Sequence, residues 1–306
     1  MDKFPIMKAN SVKTFLLNLQ KELISELEAL DQEKFTEDVW SRPLGGGGIT
    51  SVIEDGSIIE RGGINFSHIM GDNLPSAATE NRPQIVGNGF EAMGLSAVLH
   101  PRNPYIPTIH MNIRFFIAKA KSEIRAWWFG GGIDLTPYYG IEADIRNFHR
   151  TLKQSLDFYG ENYYPKFKSQ CDKYFFNTHR KESRGVGGIF FDDLFDPDFE
   201  TCFSICKSVG QCFLPSYVPI VELRHSKNYG DRERDFQLYR RGRYVEFNLV
   251  HDRGTLFGLQ SEGRIESILM SMPPLAKWKY DWHPEENSPE QDFTENYLRP
   301  RDWISE

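Results

Sequence analysis

The sequence predicts an α+β fold in which helices pack on a mostly antiparallel sheet. Several segments alternate apolar and polar residues, as strands with one buried face require, and turns rich in Gly and Asp separate them. Other segments repeat apolar residues at helical spacing, without the regular βαβ order of a parallel sheet. Because no linker or internal repeat interrupts the 306 residues, we expect a single domain over residues 1–306.

The N-terminal part of the chain predicts a packing helix followed by a glycine-rich loop. Apolar residues recur every three or four positions from Val12 to Leu30. The later run Gly45–Gly48 lacks the GK[ST] ending of a phosphate loop and the GxGxxG frame of a dinucleotide site. We therefore interpret it as either a plain turn or a lid.

The segment from Thr108 to Ile117 has the clearest strand pattern. One face carries apolar residues only: Ile109, Met111, Ile113, Phe115 and Ile117. The other carries polar groups at intervals of roughly 6 to 7 Å: Thr108, His110, Asn112 and Arg114. An imidazole can exchange a proton and a guanidinium matches a carboxylate, so this face is either a reaction surface or a solvated strand face.

Further elements follow the central strand. A hairpin partner begins at Ile124 and contains Gly130–Gly132, where the missing side chains allow a close approach to the backbone. Helices are predicted over residues 142–160, 165–178, 199–214 and 215–241. The charged runs Asp231–Asp235 and Arg240–Arg243 are interpreted as solvated.

The last strong strand is predicted over Tyr244–Asp252. Its alternation places Val245, Phe247, Leu249 and His251 on one face. The opposite face would then hold a second row of polar groups: Tyr244, Glu246, Asn248 and Asp252.

Composition excludes several classes of protein. A formal net charge of −7 argues against a protein that acts on nucleic acid. The N-terminus lacks the apolar core of a signal peptide, and no run of 18 apolar residues predicts a transmembrane segment, so we expect a soluble, cytoplasmic protein. The four cysteines have no CxxC or zinc spacing, which indicates reduced structural thiols. Aromatic residues make up 14% of the chain, enough to provide a surface for a planar ligand as well as a core.

Candidate chemistry rests on histidines, carboxylates and arginines. No GxSxG elbow supports a Ser/His/Asp enzyme. His100, His110, His149 and His179 suggest a metal site, but their spacing matches no ligand motif, and satisfied or exposed histidines are the alternative. The pair Asp192–Asp193 fits a metal or acid/base role and equally a helix cap. Several arginines lie beside Gly or Pro or on a polar strand face and could bind a ligand with several carboxylates: Arg102, Arg114, Arg184, Arg253 and Arg264.

Five segments, in order between Trp40 and Trp282, resemble the oxygen-dependent coproporphyrinogen III oxidases. They are HPRNPYIPTIHMNIRFF, WWFGGGIDLTPYY, RGVGGIFFDDLF, YVEFNLVHDRGTLFGLQ and RIESILMSMPPLAKWKYDW. The resemblance implies a large, flat, mostly antiparallel sheet covered on both sides by helices. It also implies oxidative decarboxylation of two propionates of coproporphyrinogen III to vinyl groups, giving protoporphyrinogen IX, with O₂ consumed and CO₂ and H₂O₂ released, in haem biosynthesis.

The resemblance also assigns site residues. His110 matches the proposed proton donor, and Ser96, Asn112, Ile113 and Arg114 match substrate-binding positions. Glu262, Gly263 and Arg264 fall where bacterial members usually have Gly-Gly-Arg, so Glu262 departs from the family pattern. We add the hypothesis that Asp252 hydrogen-bonds pyrrole N–H groups or accepts a proton.

Cofactors and partners follow from the same resemblance. No organic cofactor is expected, O₂ is a co-substrate, and some bacterial members imply a divalent metal on His100, His110, His149 and His179. The segment Tyr244–Lys279 matches the part of the family associated with homodimer formation. Two other classes stay open: a metal-dependent oxidase, and a tetrapyrrole-binding carrier without turnover.

Overall fold

The computed structural model describes residues 4–43, 45–74, 83–120, 123–260 and 263–305. Seven strands form one antiparallel sheet, which confirms the predicted α+β class. In spatial order they are β1 (Thr36–Ser41), β2 (Gly46–Glu54), β3 (Ile59–Gly71), β4 (Gly89–Pro101), β5 (Thr108–Ala120), β6 (Glu123–Thr136) and β9 (Gly187–Leu194). The short strands β7 (Phe176–Asn177) and β8 (Glu182–Ser183) form a separate pair.

Nine α-helices lie within the described ranges. They are α1 (Phe4–Asp31), α2 (Glu142–Asp157), α3 (Tyr163–Tyr174), α4 (Phe199–Gln211), α5 (Phe213–Arg224), α6 (Asp231–Val250), α7 (Arg253–Gln260), α8 (Ile265–Leu269) and α9 (Pro289–Asn296). None of them combines the length and the apolar character that crossing a bilayer requires.

One face of the sheet packs into the main hydrophobic core. Helix α1 buries Leu16, Leu19 and Leu23 there, as its helical spacing predicts. Helices α2, α4 and α5 contribute to the same core. The apolar face of β5 is at most 2% exposed, which confirms the predicted alternation. Burying these side chains stabilises the fold by about 1.5 to 3 kcal/mol each.

The opposite face of the sheet is covered by α6, α7 and α8. Tyr244 of α6 packs edge-on against His100 of β4 with 5.0 Å between ring centres. Phe257 of α7 packs against Phe116 of β5 in the same manner. Ser267 of α8 shares a hydrogen bond of 2.7 Å with Thr50. Helices therefore lie on both sides of the sheet, and the polar row of β5 lies beneath the second layer.

The predicted strand over Tyr244–Asp252 is wrong, because residues 231–250 form helix α6. Its buried face includes three charged side chains, Arg240, Arg241 and Arg243, which the sequence analysis interpreted as solvated. Arg241 is fully buried and pairs with Glu60 at 2.7 Å. A helix that buries guanidinium groups shows no apolar period of 3.6, so the local alternation of its last residues was misleading. The predicted helix over 215–241 is also interrupted, between Arg224 and Asp231.

The Gly45–Gly48 run is partly the predicted turn and not a lid. Gly45 lies in the turn between β1 and β2, where its N–H donates a 3.1 Å hydrogen bond to the Arg42 carbonyl, and Gly46–Gly48 begin strand β2. A side chain at Gly48 would bring its Cβ to 2.3 Å from the ring of Trp40 on β1. Gly46 has a φ of +90°, which L residues with a side chain rarely adopt. The glycines therefore serve close packing of the sheet edge.

Candidate functional site

A cavity of about 270 Å³ lies over the polar face of β5. Strands β3 to β6 form its floor, and residues of α7 and α8 form the opposite wall. This volume is near the lower end of the range of roughly 300 to 1,000 Å³ for small-molecule sites. The cavity contains His110, Asn112, Arg114 and Asp252, which the sequence analysis had singled out from separate segments.

Antiparallel pairing arranges the floor in rows across the strands. His110 on β5 pairs with Asp134 on β6. One step along β5, Asn112 lies between Ser96 on β4 and Gly132 on β6. Side chains two residues apart on a strand share a face, so successive rows of the floor are about 6 to 7 Å apart.

The next two rows become cationic and then aromatic. Arg114 pairs with Gly130, and Phe116 pairs with Trp128. The Phe116 and Trp128 rings are stacked, with 5.2 Å between centres and 3° between planes. From His110 to Phe116 the floor therefore offers a proton-exchanging group, an amide, a cation and a flat apolar surface in that order.

Asp134 contacts both the imidazole of His110 and the guanidinium of Arg184. Its Oδ1 is 2.8 Å from Nδ1 of His110, and its Oδ2 accepts a 2.6 Å hydrogen bond from Nη2 of Arg184. Burial alone would raise the pKa of Asp134, but the guanidinium of Arg184 and the hydrogen bond with His110 lower it below its usual value. An ionised Asp134 orients the imidazole through Nδ1. None of the described residues hydrogen-bonds Nε2, so this nitrogen is available to a ligand.

A bulge in the β5–β6 hairpin creates the pairing of His110 with Asp134. The register shifts by one residue between Ala118 and Lys119. Without that shift His110 would pair with Ile133, and Asp134 would face the other side of the sheet. The bulge therefore determines which side chain accepts the hydrogen bond of the imidazole.

Arg184 is buried, and its charge is compensated from several directions. Its Nη1 donates a 2.7 Å hydrogen bond to Oδ1 of Asn248. Three aromatic rings have their centres 4.0 to 5.0 Å from Cζ of this arginine, those of Phe175, Tyr244 and Phe247. Burial would lower the pKa of Arg184, but Asp134 raises it above its usual value, so the side chain stays cationic.

A second charged group lies along the wall of the cavity. Asp192 on β9 lies 3.0 Å from Nη2 of Arg114 and 3.3 Å from Nη2 of Arg253. Arg114 also donates a 2.9 Å hydrogen bond from Nη1 to Oδ1 of Asn112. Two guanidinium groups that share one carboxylate retain a net positive charge, which suits a carboxylated ligand.

Asp252 lies in the cavity wall, but not on a strand. It precedes α7, and its Oδ2 accepts hydrogen bonds from the backbone N–H and the hydroxyl of Thr255, as an N-cap residue does. Its Oδ1 accepts a 2.8 Å hydrogen bond from the hydroxyl of Tyr174. Burial and the nearby Asp252 raise the pKa of Tyr174, which keeps its hydroxyl protonated.

Most of the substrate-binding positions predicted from the resemblance line the cavity. Ser96, Asn112 and Arg114 project from its floor, and Gly263 and Arg264 lie along its edge. Arg264 is paired with Asp38 on β1 and is about one third exposed.

Two predicted positions differ from this group. The side chain of Ile113 lies in the main core on the opposite face of the sheet, because neighbouring residues of a strand point to opposite sides. It is therefore not a cavity residue. Glu262 lies outside the described residues.

The four histidines of the predicted metal set are not brought together. Both ring nitrogens of His100 and of His149 have protein partners. Those partners are Thr108 and the Ser271 carbonyl for His100, and Tyr164 and the Val186 carbonyl for His149.

His179 also uses both ring nitrogens, with His251 at 3.1 Å and Glu246 at 3.0 Å. In the described part of the chain, no three His, Cys, Asp or Glu side chains converge as a metal site requires. The residues present therefore do not fit a metal shared by these four histidines.

The buried imidazole of His149 predicts loss of stability in acid. Burial lowers its pKa to about 3, so the unfolded chain binds a proton near pH 6.5 that the folded chain does not. The free energy of unfolding is therefore unaffected by protonation of His149 above about pH 6.5 and falls progressively as the pH is lowered toward 3. Between pH 7 and pH 5 we expect His149→Gln to lose about 2 kcal/mol less unfolding free energy than the wild type. Urea titrations at the two pH values measure this, and equal losses would contradict it.

The predicted role of Gly130–Gly132 can be tested at Gly130. A Cβ at this position would lie 2.7 Å from Nε of Arg114 and 2.8 Å from Oδ1 of Asp192. These are ends of flexible side chains, so we expect Gly130→Ala to displace the ion pair and raise KM about tenfold with little loss of stability. Gly230→Ala, whose Cβ would meet nothing closer than 3.5 Å, is the control. An unchanged KM in a folded Gly130→Ala variant would contradict this role.

Sequence reasoning missed Asp134 and Tyr174. Asp134 directly follows the triple glycine, and counting back from the hairpin turn was the only available signal. Counting without the bulge would pair His110 with Ile133 and would place Asp134 one residue out of register. Asn248 was placed in a polar row for the wrong reason, since helical spacing rather than strand alternation brings Tyr244 and Asn248 to one side of α6.

Comparison with known protein families agrees with this geometry. The family model described as coproporphyrinogen III oxidase matches residues 11–303, nearly the whole chain. A buried carboxylate that orients an imidazole, several guanidinium groups and a flat aromatic surface suit a multiply carboxylated, largely planar substrate. The chain belongs to the coproporphyrinogen III oxidase family.

Proposed function

We propose that this chain is the oxygen-dependent type of coproporphyrinogen oxidase. It would convert two propionates of coproporphyrinogen III to vinyl groups and yield protoporphyrinogen IX for haem biosynthesis. For each propionate, the carboxylate side chain, O₂ and one proton would give a vinyl group, CO₂ and H₂O₂. The observation that carries the proposal is the convergence in one cavity of His110, held by Asp134, with cationic and aromatic surfaces.

The ligand chemistry follows from the order of groups along β5. In this proposal Arg114 and Arg253 hold one propionate, and Arg264 holds another at the edge of the cavity. The Phe116 and Trp128 pair, with the ring of Phe257, would contact the macrocycle or its methyl groups. A propionate placed near His110 would then be the one that reacts.

The chain supplies proton transfer and positioning rather than electrons. The reduced, electron-rich macrocycle would donate the electrons to O₂, so the proposal includes no organic cofactor. Asp252 would hydrogen-bond the pyrrole N–H groups or accept one of their protons, with Tyr174 and Thr255 holding its carboxylate in place. His110, with Nδ1 bonded to Asp134, would exchange a proton through Nε2 as CO₂ leaves.

An oxygen-controlled assay tests this function. Purified protein is supplied with coproporphyrinogen III in air and under argon, and vinyl porphyrin and peroxide are measured. We expect both products in air and neither under argon. Conversion under argon would contradict the oxygen-dependent reaction, and tight binding without products in air would identify a carrier.

A second copy of the chain is the partner that we propose. Exposed apolar side chains follow one another over the end of α6, α7, α8 and the segment after them, namely Leu249, Val250, Leu256, Leu259, Ile265, Leu275 and Trp278. Exposed apolar side chains that form one patch mark an interaction site, and we propose that these seven do so. Sedimentation equilibrium should give twice the 35.5 kDa chain mass, and a monomer at micromolar concentration would contradict the proposal.

A further inference from the structure

We infer that Asp192 is a positioning residue for substrate carboxylates, because it holds the guanidinium groups of Arg114 and Arg253 side by side at the cavity wall. This inference rests on the proposed function and deepens it. It concerns the pairing of two arginines, which the resemblance to the family did not assign to any residue. From the sequence, the pair Asp192–Asp193 fits a metal or acid/base role and equally a helix cap.

The carboxylate bridges the two arginines instead of forming a two-pronged pair with one of them. Its Oδ1 lies 3.0 Å from Nη2 of Arg114, and its Oδ2 lies 3.3 Å from Nη2 of Arg253. Each guanidinium has five N–H donors, so each retains donors for a ligand. The three groups together carry a net charge of about +1, which attracts a further carboxylate.

Among the described residues, Asp192 is the carboxylate that forms an ion pair with both cations. Arg114 belongs to β5 and Arg253 begins α7. Because both guanidinium groups lie beside the same carboxylate, their like charges repel each other. Arg253 is about one third exposed, and its Cζ also lies 5.1 Å from the centre of the Tyr174 ring. Without the carboxylate it would rest on ring faces, which do not fix the direction of its N–H donors. The ring of Phe190 lies 5.7 Å from Arg114 and 5.9 Å from Arg253, which supports both but orients neither.

A glycine on β6 leaves the space that this bridge occupies. Gly130 faces Arg114 across the β5–β6 pair, and any side chain there would occupy the space of the Arg114 to Asp192 contact. Burial would raise the pKa of Asp192, but Arg114 and Arg253 lower it below its usual value. The carboxylate is therefore ionised at neutral pH and able to hold both cations.

Asp192 could either position the arginines or compete with a substrate carboxylate for them, and the two roles predict opposite changes in substrate affinity. If Asp192 merely occupied the place of a substrate carboxylate, removing its charge would strengthen binding. If it positions the arginines, removing its charge releases Arg253 and weakens binding. We expect the second result, because each oxygen contacts a different arginine and leaves the remaining donors of both available.

A binding and kinetic comparison tests this role. Coproporphyrin III, the stable oxidised form of the macrocycle, is titrated by fluorescence into the wild-type protein, Asp192→Asn, Arg253→Gln and the double variant. We expect about a tenfold rise in Kd and KM for each single variant with kcat within about threefold of the wild type. The double variant should bind no more weakly than Arg253→Gln alone, because the pairing of the two arginines that Asp192 maintains is already lost once Arg253 is replaced.

Two further variants separate positioning from general loss of structure. Asp192→Glu, which keeps the charge, should recover most of the affinity. Asp144→Asn removes a carboxylate that pairs with Arg224 at 2.9 Å away from the cavity, and it should leave Kd unchanged. Tighter or unchanged binding in Asp192→Asn, or additive effects in the double variant, would overturn the inference. Failure of the wild type to convert coproporphyrinogen III would instead count against the proposed function, because these titrations need no turnover.

Discussion

Replacing His110 with glutamine is expected to lower kcat for coproporphyrinogen III by about 10²- to 10⁴-fold while KM changes little. The glutamine amide can still donate a hydrogen bond to Asp134, so the floor of the cavity should keep its shape. It cannot exchange a proton, however, and the step in which CO₂ leaves would lose its acid. Substrate affinity depends on the arginines, which this change does not touch. Steady-state kinetics in air measure both constants.

The chain contains a matched control for this change. His68 on β3 lies 2.8 Å from a carboxylate oxygen of Glu91 on the neighbouring strand, just as His110 lies beside Asp134. Its side chain is on the opposite face of the sheet from the cavity. His68→Gln should therefore keep kcat within about twofold of the wild type. Equal losses in the two variants would show that His110 acts through stability rather than chemistry.

Asp134→Asn should cost both activity and stability. The change removes the charge that compensates Arg184, whose side chain is only 2% exposed. Breaking a buried ion pair by removing one partner typically costs about 3 to 5 kcal/mol, because the other charge stays buried. An asparagine also fails to select the orientation of the His110 imidazole, so we expect kcat to fall by about 10²-fold or more.

A second substitution distinguishes these two effects. Arg184→Met in the Asp134→Asn background removes the uncompensated charge, and it should recover a large part of the lost unfolding free energy. It should not recover kcat, because His110 still lacks its carboxylate partner. Urea unfolding and steady-state kinetics on the same three proteins provide the comparison. An Asp134→Asn variant that unfolds at the same urea concentration as the wild type would contradict the role of Asp134 as counter-ion.

The sheet and the floor of the cavity were predictable because strand alternation is a local signal. In β5 one face buries Ile109, Met111, Ile113, Phe115 and Ile117, and the other face carries His110, Asn112 and Arg114. Adjacent positions in one strand determine this arrangement, so no knowledge of distant contacts was needed. Helical spacing, which is also a local signal, correctly predicted the part of α1 from Val12 to Leu30.

Helix α6, which covers the same face of the sheet as the cavity, was harder to predict because it buries charge. In α6 the residues Arg241 and Tyr244 are buried, and Arg241 is compensated by Glu60, which lies far away in the sequence. Sequence patterns assign charged residues to the surface, so such a helix loses its apolar period. Asp252 nevertheless lines the same cavity as His110, although it caps α7 and does not belong to a strand.

The partners of the site residues depended on long-range geometry. A one-residue bulge decides that His110 meets Asp134, and no local pattern near either residue indicates it. For the four histidines, local patterns suggested a shared site that the long-range contacts do not form. Four histidines in or beside predicted elements suggested one metal site, but His100 and His149 each satisfy both ring nitrogens within the protein.

The most direct test of the central claim is the structure of the inactive His110→Gln variant with coproporphyrinogen III bound under argon. We predict that the macrocycle lies over the polar face of β5, with one carboxylate between Arg114 and Arg253 and another beside residue 110. A macrocycle bound elsewhere on the molecule, or carboxylates that contact none of these arginines, would contradict the account.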